Sequence, residues 1–403
     1  MSMGSVRLEM CVKAGKEARM AEWKDTVEVV NPKRLKVDSL PAQRVPVGSS
    51  GDYKPCVALL PDGKLLLTAF RTTEVGGTRN IRGHKVPLVR TDILLFRSLD
   101  GGLTWSGHEV LDLPGREPYL TVLSDGTVLM TVHHLIQDIR NDAGYVQTYL
   151  HRSTDGGRTW TTIRFPGEDL PGWRSGWNTC SSRNVLELRD GSLVLGVGTE
   201  GKVNYLYRSY DKGATWERAE KCRFDVYEGM EEELNSPVWG EAVFWEAGNG
   251  DLLAIHRGDC RELPPIPGTE RPDGHWDHHD RMVLFRSSDG RFWRYSELGS
   301  YYGEMYPAIL RLRDGRLLLT FTVRDLRPPL GVRAVLGEET SDGFAFDFEH
   351  DRLMLDTKTP MDRESGGGFG RTVQLEDGTL ITSYSYMGED DTTHCEVVRW
   401  RLP

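Results

Sequence analysis

The chain has 403 residues, of which 38% are hydrophobic, 9% aromatic and 27% charged. That apolar share is enough for a sizeable core and excludes wholesale disorder. Fifty Lys and Arg against 60 Asp and Glu leave a net charge of −10, which argues against bulk electrostatic binding of nucleic acid or of an anionic membrane.

Residues 1–25 read as an N-terminal extension, and 26–403 as one domain. The opening MSMGSVRLEMCVKAGKEARM carries charges where a secretory leader needs an apolar stretch. No apolar run approaches the ~18 residues of a membrane span. The expectation is a cytoplasmic protein, or a secreted one whose leader has been removed. Cys11, Cys56, Cys180, Cys222, Cys260 and Cys395 are far apart and form no C-x-x-C, so neither a zinc site nor a redox pair is indicated. The segment TVEVVNPKRLKV (26–37) has strand character and precedes the first repeat.

From residue 57 onward two elements recur. One is an apolar run, an Asp-Gly or Asn-Gly pair, and a second apolar run. Its turn residues are Asp62, Asp125, Asp190, Asn249, Asp314 and Asp377, spaced by 63, 65, 59, 65 and 63. Asp, Asn and Gly tolerate φ > 0, so each pair reads as a tight hairpin turn. The other is RSLDGGLTW (97–105), returning as RSTDGGRTW (152–160), RSYDKGATW (208–216) and RSSDGRFW (286–293), with a worn TSDGF at 340–344. Each of these reads as a second hairpin. One repeat is therefore four antiparallel strands, a sheet that cannot bury both faces alone; radial stacking solves this. The spacing predicts an all-β, six-bladed β-propeller. The last repeat ends one strand short, and 26–37 is expected to close it as an outer strand.

Ligands of a propeller sit at its axial mouth, near the starts of the inner strands. Eight residues before each turn lie Lys54, Glu117, Ser182, Glu241, Tyr306 and Phe369, with Arg183 one residue later. Two carboxylates, a Lys and a Tyr are unusually polar for positions leading into buried strands. Glu117 and Glu241 together would supply the carboxylate pair of glycoside hydrolysis. Arg71, Arg183, Arg257 and Arg333 would place cations suited to bidentate carboxylate recognition at the mouth. His133 and His134 end the second strand of the second repeat, where a His can carry protons near neutral pH. Trp173, Trp177 and Trp276 lie in long connections and are candidates for stacking on sugar rings. HWDHHD (275–280) has metal-like residue types but no ordered spacing, and reads as a solvent loop or a lid. No motif for a metal or cofactor is present.

The RS-x-D-x-G-x-T-W motif is the Asp box, and from about residue 50 to 402 the sequence resembles the sialidase (neuraminidase) superfamily of BNR-repeat propellers. In that motif the Asp, Gly and Trp are structural, so Asp100, Asp155, Asp211 and Asp289 read as turn residues. The resemblance implies three arginines on a substrate carboxylate, a Tyr nucleophile activated by a Glu, and an acid/base in an early loop. GEAVFWEAGNGDLLAIHR resembles the Glu strand, implying Glu241 as activator and Arg257 as clamp. GVRAVLGEETSDGF implies Arg333 as a further clamp, and LLLTAFR implies Arg71; Arg324 and Arg371 are weaker alternatives. The pattern departs at Tyr53-Lys54-Pro55, where Tyr53 and Lys54 stand at the first arginine, and at Phe369, where the nucleophilic Tyr belongs. Tyr306 or Tyr53 would then replace it, and Glu74, with His84 nearby, is the carboxylate of the early loop.

The function expected is that of a sialidase-like exo-glycoside hydrolase removing a terminal acidic sugar from a glycan. Its catalytic set would be Glu241, Glu74, Glu117 and Tyr306. Arg71, Arg257, Arg333, Arg183, Lys54, Tyr53, His134 and Trp177 would bind the substrate. The alternatives are a non-catalytic propeller that binds glycan or protein, and a polysaccharide lyase using a His and a Tyr. The partner expected is carbohydrate, not nucleic acid or membrane.

Overall fold

The computed structural model describes residues 23–403 except 202, 227–237, 239, 273–278, 325, 327, 342, 357, 361, 362, 364 and 365. Nearly all of the 1–25 extension, Asp342 of the worn motif, Trp276 and most of HWDHHD fall outside these residues. The described chain is all-β and forms a propeller of six four-stranded units.

Blade one runs Tyr53–Leu59, Leu65–Ile81, His84–Ser98 and Glu109–Leu111 from axis to rim. Blade two runs Arg116–Val122, Val128–His134, Gln147–Ser153 and Thr161–Phe165. Blade three opens with the short Thr179–Ser181 and Leu186–Glu187, then Leu193–Thr199, Asn204–Ser209 and Glu217–Asp225. Blade four is Val243–Glu246, Leu252–Gly258, Arg281–Ser287 and Phe292–Ser296. Blade five is Glu304–Arg311, Leu317–Val323 and Gly331–Glu339, with Phe344–Phe346 and Arg352–Met354 outside.

Blade six holds Thr372–Gln374, Leu380–Met387 and Thr393–Trp400, and its outer strand comes from the N-terminal side. That strand is Ser39–Val47, not 26–37 as expected from the sequence. Asp25–Val30 lies one place further out, paired with Ser39–Ala42 and with Arg352–Met354 of blade five. The N-terminal segment thus clasps two blades.

Hydrophobic cores lie between successive blades and close the ring. Ala58, Leu66 and Leu95 of blade one meet Leu120 and Met130 of blade two. Val57, Leu65 and Phe96 of blade one meet Ile381 and Val397 of blade six. Trp105, Trp160, Trp216 and Trp293, the last residues of the four Asp boxes, each pack into a different one of these cores. The Asp carboxylates stay in their own turns. Asp155 accepts from Arg158 N (2.9 Å), Thr159 N (2.9 Å) and Thr159 Oγ1 (2.7 Å), while Gly157 takes φ +79°. These aspartates are structural, as the motif predicts.

Blade one departs from the pattern. Its second and third strands have 17 and 15 residues, where the second strands of blades two to five have seven. The excess forms an arm beyond the mouth, laid across its neighbours. Val89 N donates to Gln137 O (3.1 Å), Arg79 Nη1 to Asn141 O (2.7 Å), and Arg82, at the tip, pairs with Glu200 of blade three.

Candidate active site

The inner strands do not start as regular strands. Lys54, Glu117, Glu241 and Tyr306 all have left-handed backbone, with φ of 47°, 54°, 52° and 59°. At Lys54, Glu117 and Tyr306 the ladder to the second strand slips by one residue, which marks a bulge. Pro55, Pro118 and Pro307 follow these three, and a proline has no N–H to leave unpaired in an interrupted ladder. Non-glycine residues hold φ > 0 at a cost of about 1–3 kcal/mol each, and such strain concentrates at functional sites. Here it turns four side chains out of the strand's alternation.

They converge with Arg183. The Arg183 guanidinium is buried and bridges two blades: Nη1 donates to Glu117 Oε2 (2.9 Å) and Nη2 to Glu241 Oε1 (2.5 Å). Lys54 Nζ donates to Glu117 Oε1 (2.6 Å), which Arg116 also contacts. Glu241 Oε2 faces Arg257 Nη1 at 3.6 Å, and Arg257 Nε donates to Asp280 Oδ2 (2.7 Å). Lys54 Nζ also sits 4.5 Å from the centre of the Tyr306 ring and 5.4 Å from that of Tyr53. Arg324 Nη1 donates to the Tyr306 hydroxyl (3.0 Å). Phe369 supplies a face on which Arg183 stacks, 4.6 Å from the ring centre. It has no hydroxyl to act as a nucleophile.

Charge decides the protonation of the pair. Burial pushes the Glu117 carboxyl up, but Lys54, Arg116 and Arg183 more than reverse this and hold it well below the usual range. Glu241 is also pushed up by burial and brought below its ordinary value by Arg183 and Arg257. Both are carboxylates at neutral pH. Glu241 is the more accessible, with 22% of its side chain exposed against 4% for Glu117.

His133 completes the cluster. Its Nε2 lies 3.1 Å from Cys180 Sγ and its Nδ1 4.0 Å from Glu117 Oε2. Burial, then Arg183, lower its pKa to about 4, so the ring is neutral at pH 7. Burial pushes the Cys180 thiol up, so it is not a thiolate.

The sequence-predicted residues divide accordingly. Lys54, Tyr53, Glu117, Arg183, Glu241, Arg257 and Tyr306 come together. Five others do not. Arg333 is buried on blade five with its guanidinium donated to backbone carbonyls, among them Val332 O (2.9 Å) and Leu330 O (3.2 Å), and burial lowers it to about 10. Arg71 is held by Asp52, with Nε donating at 2.9 Å. His134 points the opposite way from His133, as strand neighbours do, and lies 3.6 Å from Asp138. Glu74 is exposed on the arm, paired across it with Val89. Trp177 lines a separate cleft beside the blade-one arm.

Arg116 and Cys180 join the cluster without having been singled out; Asp280, at the end of the HWDHHD run read as a solvent loop or lid, is instead buried against Arg257; and Arg324 stands where Arg333 was favoured. Arg324, a weaker alternative in the sequence, directly follows the second strand of blade five.

The ring of Asp-box blades and the charged mouth define a sialidase-like propeller. Residues 14–319 match the model of the BNR repeat-like domain family, and the chain belongs to that family. Its fold is similar to that of a protein of unknown function from Dyadobacter fermentans (20% identity, 94% of this chain and 98% of that chain, TM-score 0.62). It is also similar to the GH93 α-L-arabinofuranosidase of Fusarium graminearum in complex with arabinobiose (14%, 94% and 98%, TM-score 0.54). A third likeness is to the NanB sialidase of Streptococcus pneumoniae (12%, 89% and 70%, TM-score 0.56). No curated protein sequence matches the chain.

Proposed function

We propose that the protein is an exo-acting glycoside hydrolase that removes a terminal acidic sugar from a glycan. The observation that carries this reading is the pair Glu117 and Glu241, delivered from two blades by strained backbone and held one guanidinium apart by Arg183. Glycosidases place their two carboxyl groups roughly 5–9.5 Å apart across the scissile bond. Glu117, fixed as an anion by three cations, is suited to meet the positive charge that develops at the anomeric carbon. Glu241 is the more accessible, and a sugar seated against it would displace water and raise its pKa, so it is suited to carry the proton. Lys54, Arg116 and Arg183 gather more positive charge on Glu117 than one carboxylate balances, which favours an anionic substrate group. That an α-L-arabinofuranosidase and a sialidase have a similar fold supports a glycosidase reading.

The test is turnover of fluorogenic sialosides, uronides and arabinofuranosides by wild type, Glu117→Gln and Glu241→Gln. Turnover of at least one glycoside is expected, with a loss of about 10²–10⁴ in kcat for Glu241→Gln. Undiminished turnover in that variant removes Glu241 from the mechanism. Phe369, which lacks a nucleophilic hydroxyl, favours a second reading: a propeller that binds acidic glycan without cleaving it. Calorimetric binding across the same panel with no turnover by wild type would select it.

A further inference from the structure

The blade-one arm borders an open cleft of about 480 Å³, which none of the carboxylate cluster lines. Arg79 and Arg82 of the arm form one wall, and Ile136 of blade two, Ser175, Trp177 and Glu200 the others. The arm is held in place rather than draped: Arg79 is bonded to blade two and Arg82 to Glu200 of blade three. Trp177 is set with similar care. Trp173 Nε1 donates to the Trp177 carbonyl (2.8 Å), and the Arg174 guanidinium lies 5.3 Å from the Trp177 ring centre. At Gly201 a Cβ would fall 1.9 Å from the indole, so only glycine lets the ring lie there.

Two chain segments lead from this cleft to the cluster. Trp177 precedes Cys180 by three residues and Ile136 follows His133 by three, and Cys180 and His133 touch at 3.1 Å. Three extended residues span at most about 11 Å. A fixed indole beside charged hydrogen-bonding groups is the combination that holds a sugar ring by its apolar face and its hydroxyls.

We propose that this cleft is a second sugar subsite, which takes the glycan residue on the leaving-group side of the scissile bond, so that the substrate is an oligosaccharide and not a simple glycoside. This rests on the hydrolase reading above. The volume lies within the range of small-molecule sites, roughly 300–1,000 Å³.

The experiment compares wild type, Trp177→Ala and Trp177→Phe on two substrates with the same terminal sugar, an aryl glycoside and an oligosaccharide. It is paired with binding of the three proteins to an array of sialylated, uronic-acid-capped and arabinan oligosaccharides. In Trp177→Ala, kcat/KM is expected to fall about tenfold for the oligosaccharide and to stay unchanged for the aryl glycoside, with Trp177→Phe restoring most of the loss. An equal loss on both substrates, or none on either, overturns the subsite. If wild type turns over nothing, the hydrolase reading fails by itself and the array decides the cleft. Oligosaccharide binding that Trp177→Ala abolishes and Trp177→Phe keeps supports it. Binding that is absent in wild type, or equal in Trp177→Ala, overturns it.

Discussion

Replacing Arg183 by Met tests the electrostatic logic of the mouth without assuming any substrate. Met keeps an apolar stem against Phe369 but removes the cation between Glu117 and Glu241. Glu117 retains Lys54 and Arg116, whereas Glu241 retains Arg257 at 3.6 Å. Breaking a buried ion pair by removing one partner costs about 3–5 kcal/mol. With an unfolding entropy of about 2.1 cal/mol/K per residue over 403 residues, that lowers Tm by roughly 4–6 °C. The pH dependence is the sharper readout. In wild type both carboxyls are depressed, so their contribution is full above the unfolded carboxylate value and is lost only as pH falls below it. In the variant the two anions face each other without the shared cation, and Glu241 is expected to titrate above its unfolded value. Its protonation then restores stability as pH falls from 7 towards 5. Calorimetric melting of both proteins at pH 7 and pH 5 should show a deficit that shrinks on acidification. A deficit equal at both pH values, or none at all, refutes the account of the cluster.

Asp356 is the opposite case: burial lifts its carboxyl from 3.8 to about 6. The folded state therefore prefers it protonated, and the stability it contributes is full below about pH 4 and is lost as pH rises through 6. Asp356→Asn should raise stability at pH 7.5 by up to about 3 kcal/mol, at about 1.36 kcal/mol per pKa unit, and flatten that slope; urea titration at pH 4.5 and 7.5 measures both. Asp155→Ala removes the turn bonds to Arg158 and Thr159 and should cost about 1 kcal/mol in urea melts while leaving kcat unchanged. A drop in kcat would give that Asp box a role beyond structure.

The propeller was legible because its punctuation is a local requirement. Each Asp-Gly or Asn-Gly turn needs left-handed backbone, so the period survives whatever the strands between contain. The closing strand was misplaced for an equally local reason. SLPAQRVPV carries Pro41 and Pro46, which argue against a strand, yet it lies at the outer side of blade six, and its pairing with Asp25–Glu28 stops at Ala42. At the mouth, counting back from the turns found Lys54, Glu117, Glu241 and Tyr306, since that offset fixes where each inner strand starts. It did not find Arg116, because a bulge puts two residues against one and breaks the alternation that tells inward from outward. The same alternation separates His133 from His134, and one strand position is all that distinguishes them in sequence. Arg333 was favoured over Arg324 by resemblance to a family strand, whereas burial among carbonyls is a tertiary fact that no motif records.

The central claim is tested most directly by a crystal structure of Glu241→Gln with its glycan bound. The account places the anomeric carbon of the terminal sugar between residue 241 and the Glu117 carboxylate, with Arg183 behind them. A sugar seated on the opposite face of the propeller, with that cluster undisturbed, would contradict it.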